Sequence, residues 1–323
     1  MKRLILFLVF VSKVVGAMEL SSNVKNLYKN KNVLVTGGAG FIGSHLVEKF
    51  VELGANVTVL DNLSTGNLDN LLSVRNHINF IFGDIRDFDT CLKTTKNQEI
   101  IFHLAAFISV PESMTDPLTC NNINVQGTFN MLQASKTNKV TKFIFSSSSA
   151  VYGNYEGECK EDMQLTPTSV YGFSKLMGEY YCKMYNDLFS LNTICLRYFN
   201  VYGLRQSSNG PYAAVVAKFK DCMKNNQPII IFGDGLQTRD FISVEQIIAA
   251  NLNLAKLSPE KLNGQSLNIA TGKSINLLEL IKNLKQEFRN YSGEIVFKPA
   301  RLGDVKYSSA NCSKYQNLLN ERF

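Results

Sequence analysis

Three observations predict an α/β fold: a doubly wound parallel sheet followed by a smaller C-terminal α/β lobe. Strand-like and helix-like segments alternate from Asn32 to Tyr198. A glycine turn, Thr36-Gly-Gly-Ala-Gly-Phe-Ile-Gly43, joins the first strand to the first helix. After Asn200 the alternation gives way to long polar loops with short strands. Alternation at this spacing demands parallel strands with right-handed crossovers.

Taken in order, the strands are expected at Val33–Thr36, Val57–Leu60, Ile78–Phe82, Ile100–Leu104, Phe143–Ser147 and Thr193–Tyr198. Each is short, apolar or β-branched, and bounded by polar turns. Runs such as Phe143-Ile144-Phe145 lack polar alternation, as strands covered on both faces do. Helices are expected at Phe41–Leu53, Phe88–Thr95, Pro117–Thr137 and Val170–Phe189. In the second lobe, helices are expected at Ala213–Lys224, Val244–Lys256 and Leu277–Phe288. Its short strands are expected at Ile229–Phe232, Leu267–Ile269 and Ile295–Lys298. The expected organisation is a leader over residues 1–31, a Rossmann domain over 32–200 and a substrate lobe over 201–323.

The glycine turn carries the first chemistry. Gly37, Gly40 and Gly43 leave the backbone bare, so a pyrophosphate can approach it. The following helix offers free N–H donors and a partial positive charge. The second strand ends on Asp61, eighteen residues past Gly43. An acid there accepts hydrogen bonds from the adenosine ribose and repels a 2′-phosphate, which predicts NAD rather than NADP.

Composition narrows the partners. The 323 residues are 45% hydrophobic and 19% charged, ordinary for a globular chain. The formal charge of +7 is spread along the chain without a basic stripe, so nucleic-acid binding is not expected and an anionic small molecule is. Seven cysteines, Cys91, Cys120, Cys159, Cys182, Cys195, Cys222 and Cys312, stand far apart with no C-x-x-C, as free thiols in a reducing compartment do. This predicts a cytoplasmic protein. The three histidines, His45, His77 and His103, form no ligand cluster, so no metal is expected. Lys2-Arg3, the apolar stretch Leu4 to Val11 and small residues to Ala17 resemble a secretory signal. The rival reading is a misassigned start, with Met18 as the first residue, and the downstream sequence favours it.

Tyr171-Gly-Phe-Ser-Lys175 places a phenol and an ammonium on one helix face. The ammonium is expected to lower the phenol pKa toward neutrality, making Tyr171 a base for an alcohol that loses hydride from the same carbon. Ser146 to Ser149 end the fifth strand, where a hydroxyl can hold that alcohol.

These motifs, with Asp84-Ile85, His103-Leu104-Ala105-Ala106 and Arg197-Tyr198-Phe199-Asn200, resemble in their order the extended short-chain dehydrogenase/reductase family, and within it the nucleotide-sugar 4-epimerases. The resemblance covers about Asn32 to Leu319. It implies that Gly37, Gly40, Phe41, Ile42 and Gly43 hold the NAD pyrophosphate, and that Asp61 and Asn62 hold the adenosine ribose. Asp84 and Ile85 would flank the adenine, and Leu104, Ala105, Ala106, Asn124 and Tyr198 would line the dinucleotide. Tyr171 would be the base, Lys175 its modulator and Ser148 the catalytic hydroxyl. For the UDP-sugar substrate it implies Ser148, Ser149, Asn200, Gln206, Ala214, Arg239, Arg301, Asp304 and Ser308. It further implies a homodimer formed through Pro117–Thr137 and Val170–Phe189. Members usually continue past the R-L-G-D segment through another helix. This chain ends at Phe323, so a lobe short of its last helix is expected.

Two positions sort the relatives. Dehydratases carry an Asp-Glu pair just before the V-Y-G segment, and UDP-glucuronate decarboxylases a Glu there. Here the residues are Ser149 and Ala150, neither of which acts as an acid near neutral pH. Ser308 is small, which in related epimerases admits 2-acetamido sugars. A one-residue change of register would put Tyr307 there instead. The reading is an NAD-dependent UDP-hexose 4-epimerase acting on UDP-N-acetylglucosamine and UDP-glucose through a 4-keto sugar. The alternatives are a UDP-glucuronate 4-epimerase or decarboxylase, or a non-catalytic nucleotide-binding protein of the same fold.

Overall fold

The computed structural model describes residues 27–207, 215–300 and 305–320. The expected signal-like segment, the first residues of the Ala213–Lys224 helix, and Ala214, Arg301 and Asp304 lie outside these described residues.

In chain order, β1 (Asn32–Thr36) leads into α1 (Phe41–Glu52), β2 (Asn56–Asp61) and, after a 3₁₀ segment at Leu68–His77, β3 (Ile78–Phe82). Then come α2 (Phe88–Thr94), β4 (Ile100–His103), α3 (Val110–Thr115), α4 (Pro117–Asn121), α5 (Thr128–Thr137) and β5 (Lys142–Ser148). After a 3₁₀ turn at Ser149–Tyr152 follow β6 (Glu158–Cys159), α6 (Val170–Phe189), β7 (Asn192–Tyr198) and β8 (Asn200–Tyr202). The remainder is α7 (Val215–Lys224), β9 (Ile229–Phe232), β10 (Thr238–Ser243), α8 (Val244–Ala255), α9 (Pro259–Leu262), β11 (Ser266–Ile269), β12 (Ser274–Asn276), α10 (Leu277–Glu287), β13 (Ile295–Lys298), β14 (Ser309–Ala310) and α11 (Ser313–Asn320).

Seven parallel strands form the central sheet in the order β11-β7-β5-β4-β1-β2-β3. Alternate residues of one strand face opposite layers. Thus Val33 and Val35 of β1 join Leu46, Val47 and Phe50 of α1 and Ile247 and Leu252 of α8 on one side. Leu34 joins Met131, Phe143, Phe145 and Tyr185 on the other. Both faces are covered, which is why the strands carry no polar alternation. A separate apolar cluster, including Phe219, Ile229, Ile231, Leu280 and Leu284, supports the α7, β9 and α10 side.

The structure differs from the sequence reading at three places. Leu267–Ile269, expected in the second lobe, belongs to the edge strand of the central sheet and pairs with β7. A four-residue apolar strand does not reveal which sheet edge it joins. The helix expected as one run over Pro117–Thr137 is interrupted by a π turn at Asn122–Gly127. There the Asn124 amide turns aside to bond the backbone of Phe107 in both directions, at 2.7 and 3.0 Å. The end of the expected leader is part of the core: Tyr28 is fully buried and donates to the Leu252 carbonyl at 2.9 Å. Beyond the R-L-G-D segment, α11 packs on β11, and Lys314 Nζ reaches the Ser266 carbonyl at 3.1 Å.

Candidate active site

The carboxyl ends of β1, β2, β4, β5 and β7 converge on one edge of the sheet, where open α/β folds bind ligands. The cofactor side starts at the glycine turn. Gly37 adopts φ +68°, and a Cβ at Gly43 would lie 2.1 Å from the Gly37 carbonyl oxygen. Only glycine permits that closure. Gly40 caps α1 without a side-chain hydrogen bond, so the first N–H groups of the helix face outward unspent. This bare, donor-lined cradle fits a dinucleotide pyrophosphate.

Asp61 is buried beside the cradle. Its carboxylate accepts from Ala39 N at 2.9 Å and from Leu63 N at 2.8 Å. Burial raises its pKa, and these two backbone bonds act against the rise. Asn62 donates to Asp84 at 2.8 Å. The Arg86 guanidinium grips Asp84 and holds its carboxyl down at about 2. Ile85 is buried against Gly127.

The opposite wall, Leu104 to Ala106, hangs from Thr36. The Thr36 Oγ1 accepts from Leu104 N and Ala105 N, each at 3.2 Å, and lies 2.8 Å from His103 Nδ1. An oxygen already accepting two N–H groups gives its own proton to Nδ1, so the His103 proton sits on Nε2 and goes to Thr128 Oγ1 at 3.1 Å. Burial, with the nearby Lys175 charge, drops the His103 pKa to about 3, so the ring is neutral and structural. The buried Tyr198 hydroxyl accepts from Ser146 Oγ at 3.2 Å and donates to Asn251 Oδ1 at 3.0 Å.

The reacting cluster forms where α6 meets the end of β5. Ser169 caps α6 by accepting from Gly172 N at 3.1 Å. A Cβ at Gly172 would stand 2.6 Å from the Ala150 carbonyl oxygen, so the bare helix turn can lie directly on the Ser149–Tyr152 turn. That approach brings Tyr171 beside Ser148, whose hydroxyl acts to lower the phenol pKa. Ser148 Oγ accepts from Ala150 N at 3.1 Å, which leaves its proton for the phenol oxygen.

Lys175 turns its ammonium toward the end of β5. Its Nζ donates to the Ser146 carbonyl at 2.9 Å and lies 5.9 Å from the centre of the Tyr171 ring. Burial pushes Tyr171 up to about 12, against the influence of the Ser148 hydroxyl, and pushes Lys175 down to about 8. In these surroundings desolvation outweighs any depression of the phenol.

Among the residues expected to hold the substrate, Asn200 Nδ2 donates to the Asp240 carbonyl at 3.0 Å and to Ser308 Oγ at 3.2 Å. Ser308 is buried and Tyr307 is half-buried beside Lys306, so the inward residue of this pair is the serine. Gln206 donates back to Val201 O on β8 at 2.8 Å. Arg239 on β10 donates to Thr238 O at 2.8 Å. Ser149 opens the 3₁₀ turn beside Ser148.

A buried polar lattice beneath the cluster escaped the sequence reading. Arg197 pairs with Glu179 at 2.7 Å, and both are almost wholly buried. Ser147 and Ser266 donate to Glu179, and Arg197 Nη1 donates to Tyr152 OH at 2.8 Å. Tyr152 in turn donates to Asn268 at 2.6 Å. The available signal was Glu179 standing four residues past Lys175, one turn along the same helix face. Among the described residues, no group of three or more metal-ligating side chains occurs, and no helix is long and apolar enough to cross a membrane.

Residues 33–270 match the family model described as "NAD dependent epimerase/dehydratase family". The chain is 41% identical over 290 residues to a putative UDP-glucose 4-epimerase of Methanocaldococcus jannaschii, covering 88% of this chain and 92% of the relative. It is 33% identical over 275 residues to a UDP-N-acetyl-alpha-D-glucosaminuronate decarboxylase of Bacillus cytotoxicus, covering 83% and 84%. The solved UDP-N-acetylglucosamine 4-epimerase from Methanobrevibacter ruminantium M1, in complex with UDP-N-acetylmuramic acid, superimposes with a TM-score of 0.84 at 38% identity, covering 91% of this chain and 94% of that one.

Proposed function

Because the chain belongs to the NAD dependent epimerase/dehydratase family, we propose that it inverts C4 of a UDP-hexose, interconverting UDP-N-acetylglucosamine or UDP-glucose with the galacto epimer. The observation that carries this reading is Tyr171 packed on a turn, Ser149-Ala150, that offers no acid, with the Ser148 hydroxyl acting to lower the phenol pKa. Elimination of water needs an acid and base beyond the tyrosine. Inversion needs only the proton at O4 and a reversible hydride acceptor.

Bound NAD supplies that acceptor and the positive charge of its oxidised ring. Gly37, Gly40, Phe41, Ile42 and Gly43 would hold its pyrophosphate, with Asp61 and Asn62 at the ribose and Asp84 and Ile85 at the adenine. The Ser148 hydroxyl favours the Tyr171 phenolate over the phenol. Tyr171 takes the proton from O4 as the C4 carbonyl forms. The same proton returns to O4 after the 4-keto sugar has presented its other face. Lys175, fixed by the Ser146 carbonyl, adds positive charge beside the phenolate. Asn200 and Arg239 hold the UDP moiety, with Arg301 and Asp304 as further candidates. The buried Ser308 supports room for a 2-acetamido group.

The reading includes a homodimer in a cytoplasmic setting. Phe173, Met177 and Tyr180 are exposed at i, i+4 and i+7 on α6, with Leu118 of α4 also exposed, an apolar strip suited to a second copy. The test is incubation of purified protein with UDP-glucose, UDP-N-acetylglucosamine and UDP-glucuronate, with products separated by chromatography. Galacto epimers of the first two are expected. A decarboxylated pentose or a 4-keto-6-deoxy sugar as the product overturns the assignment.

A further inference from the structure

The loop after β8 runs back to the helix that opens the dinucleotide cradle. Phe41, Ser44, His45 and Glu48 occupy one face of α1 at i, i+3, i+4 and i+7, and residues 203–205 engage that face along its length. A Cβ on Gly203 would lie 3.5 Å from the Phe41 ring. His45 Nε2 and the Leu204 carbonyl are 3.1 Å apart, with the imidazole as donor because a carbonyl only accepts. Arg205 donates to Ser44 Oγ at 3.2 Å and to Glu48 Oε1 at 2.6 Å. The Ser73 hydroxyl donates to the same Glu48 oxygen.

Arg205 sits at φ +66°, a left-handed conformation that a residue with a Cβ disfavours. Such conformations persist where the surrounding contacts over-determine them. Here the contacts are the ion pair and the Ser44 bond. The face they cover begins at Phe41, the first residue after the Gly40 cap, which leaves the helix start without a side-chain cap. The loop itself starts from β8, which carries Asn200.

We propose that Arg205 is a retention latch for NAD: its pairing with Glu48 braces the loop at 203–206 against α1 and slows release of the dinucleotide. This deepens the proposed reaction, in which hydride goes out and back on one sugar, so the cofactor must outlast each cycle. Each side chain of the pair is 24% exposed, so salt reaches the latch and weakens it.

The test compares NAD release from the NAD-loaded unmodified protein, Arg205→Gln, Glu48→Gln and the double variant, by dilution into an enzymatic NAD scavenger. Either single change is expected to speed release by about tenfold, the scale of one charge-assisted hydrogen bond. The double variant should be no faster than the singles, because both remove the same contact. Molar salt should accelerate release from the unmodified protein but not from Arg205→Gln. The turnover number with NAD in excess should stay unchanged, since neither residue touches the reacting groups. If NAD is held and leaves all four proteins at one rate, the latch is wrong while the cofactor assignment stands. If the unmodified protein retains no NAD, both fall. Should Arg205→Gln fail to fold, Glu48→Gln and the salt dependence of the unmodified protein decide the matter.

Discussion

At the cofactor edge, residues that act together are near neighbours in the chain. Gly37, Gly40 and Gly43 share one turn, and Asp61 reaches Ala39 across 22 positions. At the proposed sugar edge, Asn200 meets Ser308 across 108 positions. The segment bearing Ser308 is tied down by two further strangers. Asn154 accepts from Lys306 N at 3.0 Å, and Lys306 O accepts from Thr238 N at 2.9 Å. A local site tolerates drift elsewhere in the molecule. A site sewn from distant loops inherits every shift of the frame that brings them together. The Tyr171 cluster lies between these extremes: α6 supplies the tyrosine locally, but Ser148 comes from another strand.

The largest expected effect falls at that junction. Tyr171→Phe should lower kcat by roughly 10²- to 10⁴-fold, the usual contribution of general base catalysis, while UDP-sugar binding measured by calorimetry stays near its original value. Activity within about a factor of ten of the parent would remove the phenol from the base role.

Next is the lattice that joins the two sides. Glu179→Ala leaves Arg197 charged and unpaired in the core, so it should cost about 3–5 kcal/mol of stability by denaturant unfolding. Glu179→Gln keeps hydrogen-bonding capacity and should cost less. Equal, small losses from both would show that the lattice carries no weight.

Lys175 gives a pH signature. Its pKa is pushed down to about 8, below the ordinary lysine value, so between about pH 8 and 10 the unfolded chain binds more protons than the native one. The lysine therefore destabilises the fold below about pH 8, by ~3 kcal/mol, and this penalty shrinks as pH rises. Lys175→Met, which cannot titrate, should be more stable than the parent at pH 7, and the gap should narrow toward pH 10. A gap independent of pH would mean that Lys175 has an unshifted pKa.

Ser308→Tyr probes the sugar edge alone. Overfilling a packed site costs about 1–3 kcal/mol, so kcat/KM on UDP-N-acetylglucosamine should fall about 5- to 150-fold, and much less on UDP-glucose. An unmoved ratio between the two sugars would place the gate elsewhere. The smallest effect belongs to the cofactor edge. Asp61→Asn should improve NADP relative to NAD by about tenfold through lost charge repulsion, read from cofactor titrations. Unchanged discrimination would exclude Asp61 as the selector.

Much of this was legible because it is local. The six strands from β1 to β7 that the alternation predicts, β6 aside, each end within one residue of their expected bounds, since backbone and burial both act over a few residues. The glycine turn was readable because its steric demand lies within the turn itself. The direction of the Tyr198 hydroxyl was not readable, because β7 alone does not say that Asn251 waits beneath it. Nor was the path of Lys175, whose partner, the Ser146 carbonyl, is supplied by another strand.

The sequence by itself therefore determined the strand–turn–helix cradle, the doubly wound order of elements and the pairing of Tyr171 with Lys175 on one helix. Each follows from spacing along a single segment. Tertiary structure decided the placement of β11 at the sheet edge, the Arg197–Glu179 lattice, the inward turn of Ser308 and the protonation preferences of Tyr171 and Lys175. Those depend on burial and on partners from remote segments, and desolvation is a property of the assembled surroundings rather than of any one stretch of chain.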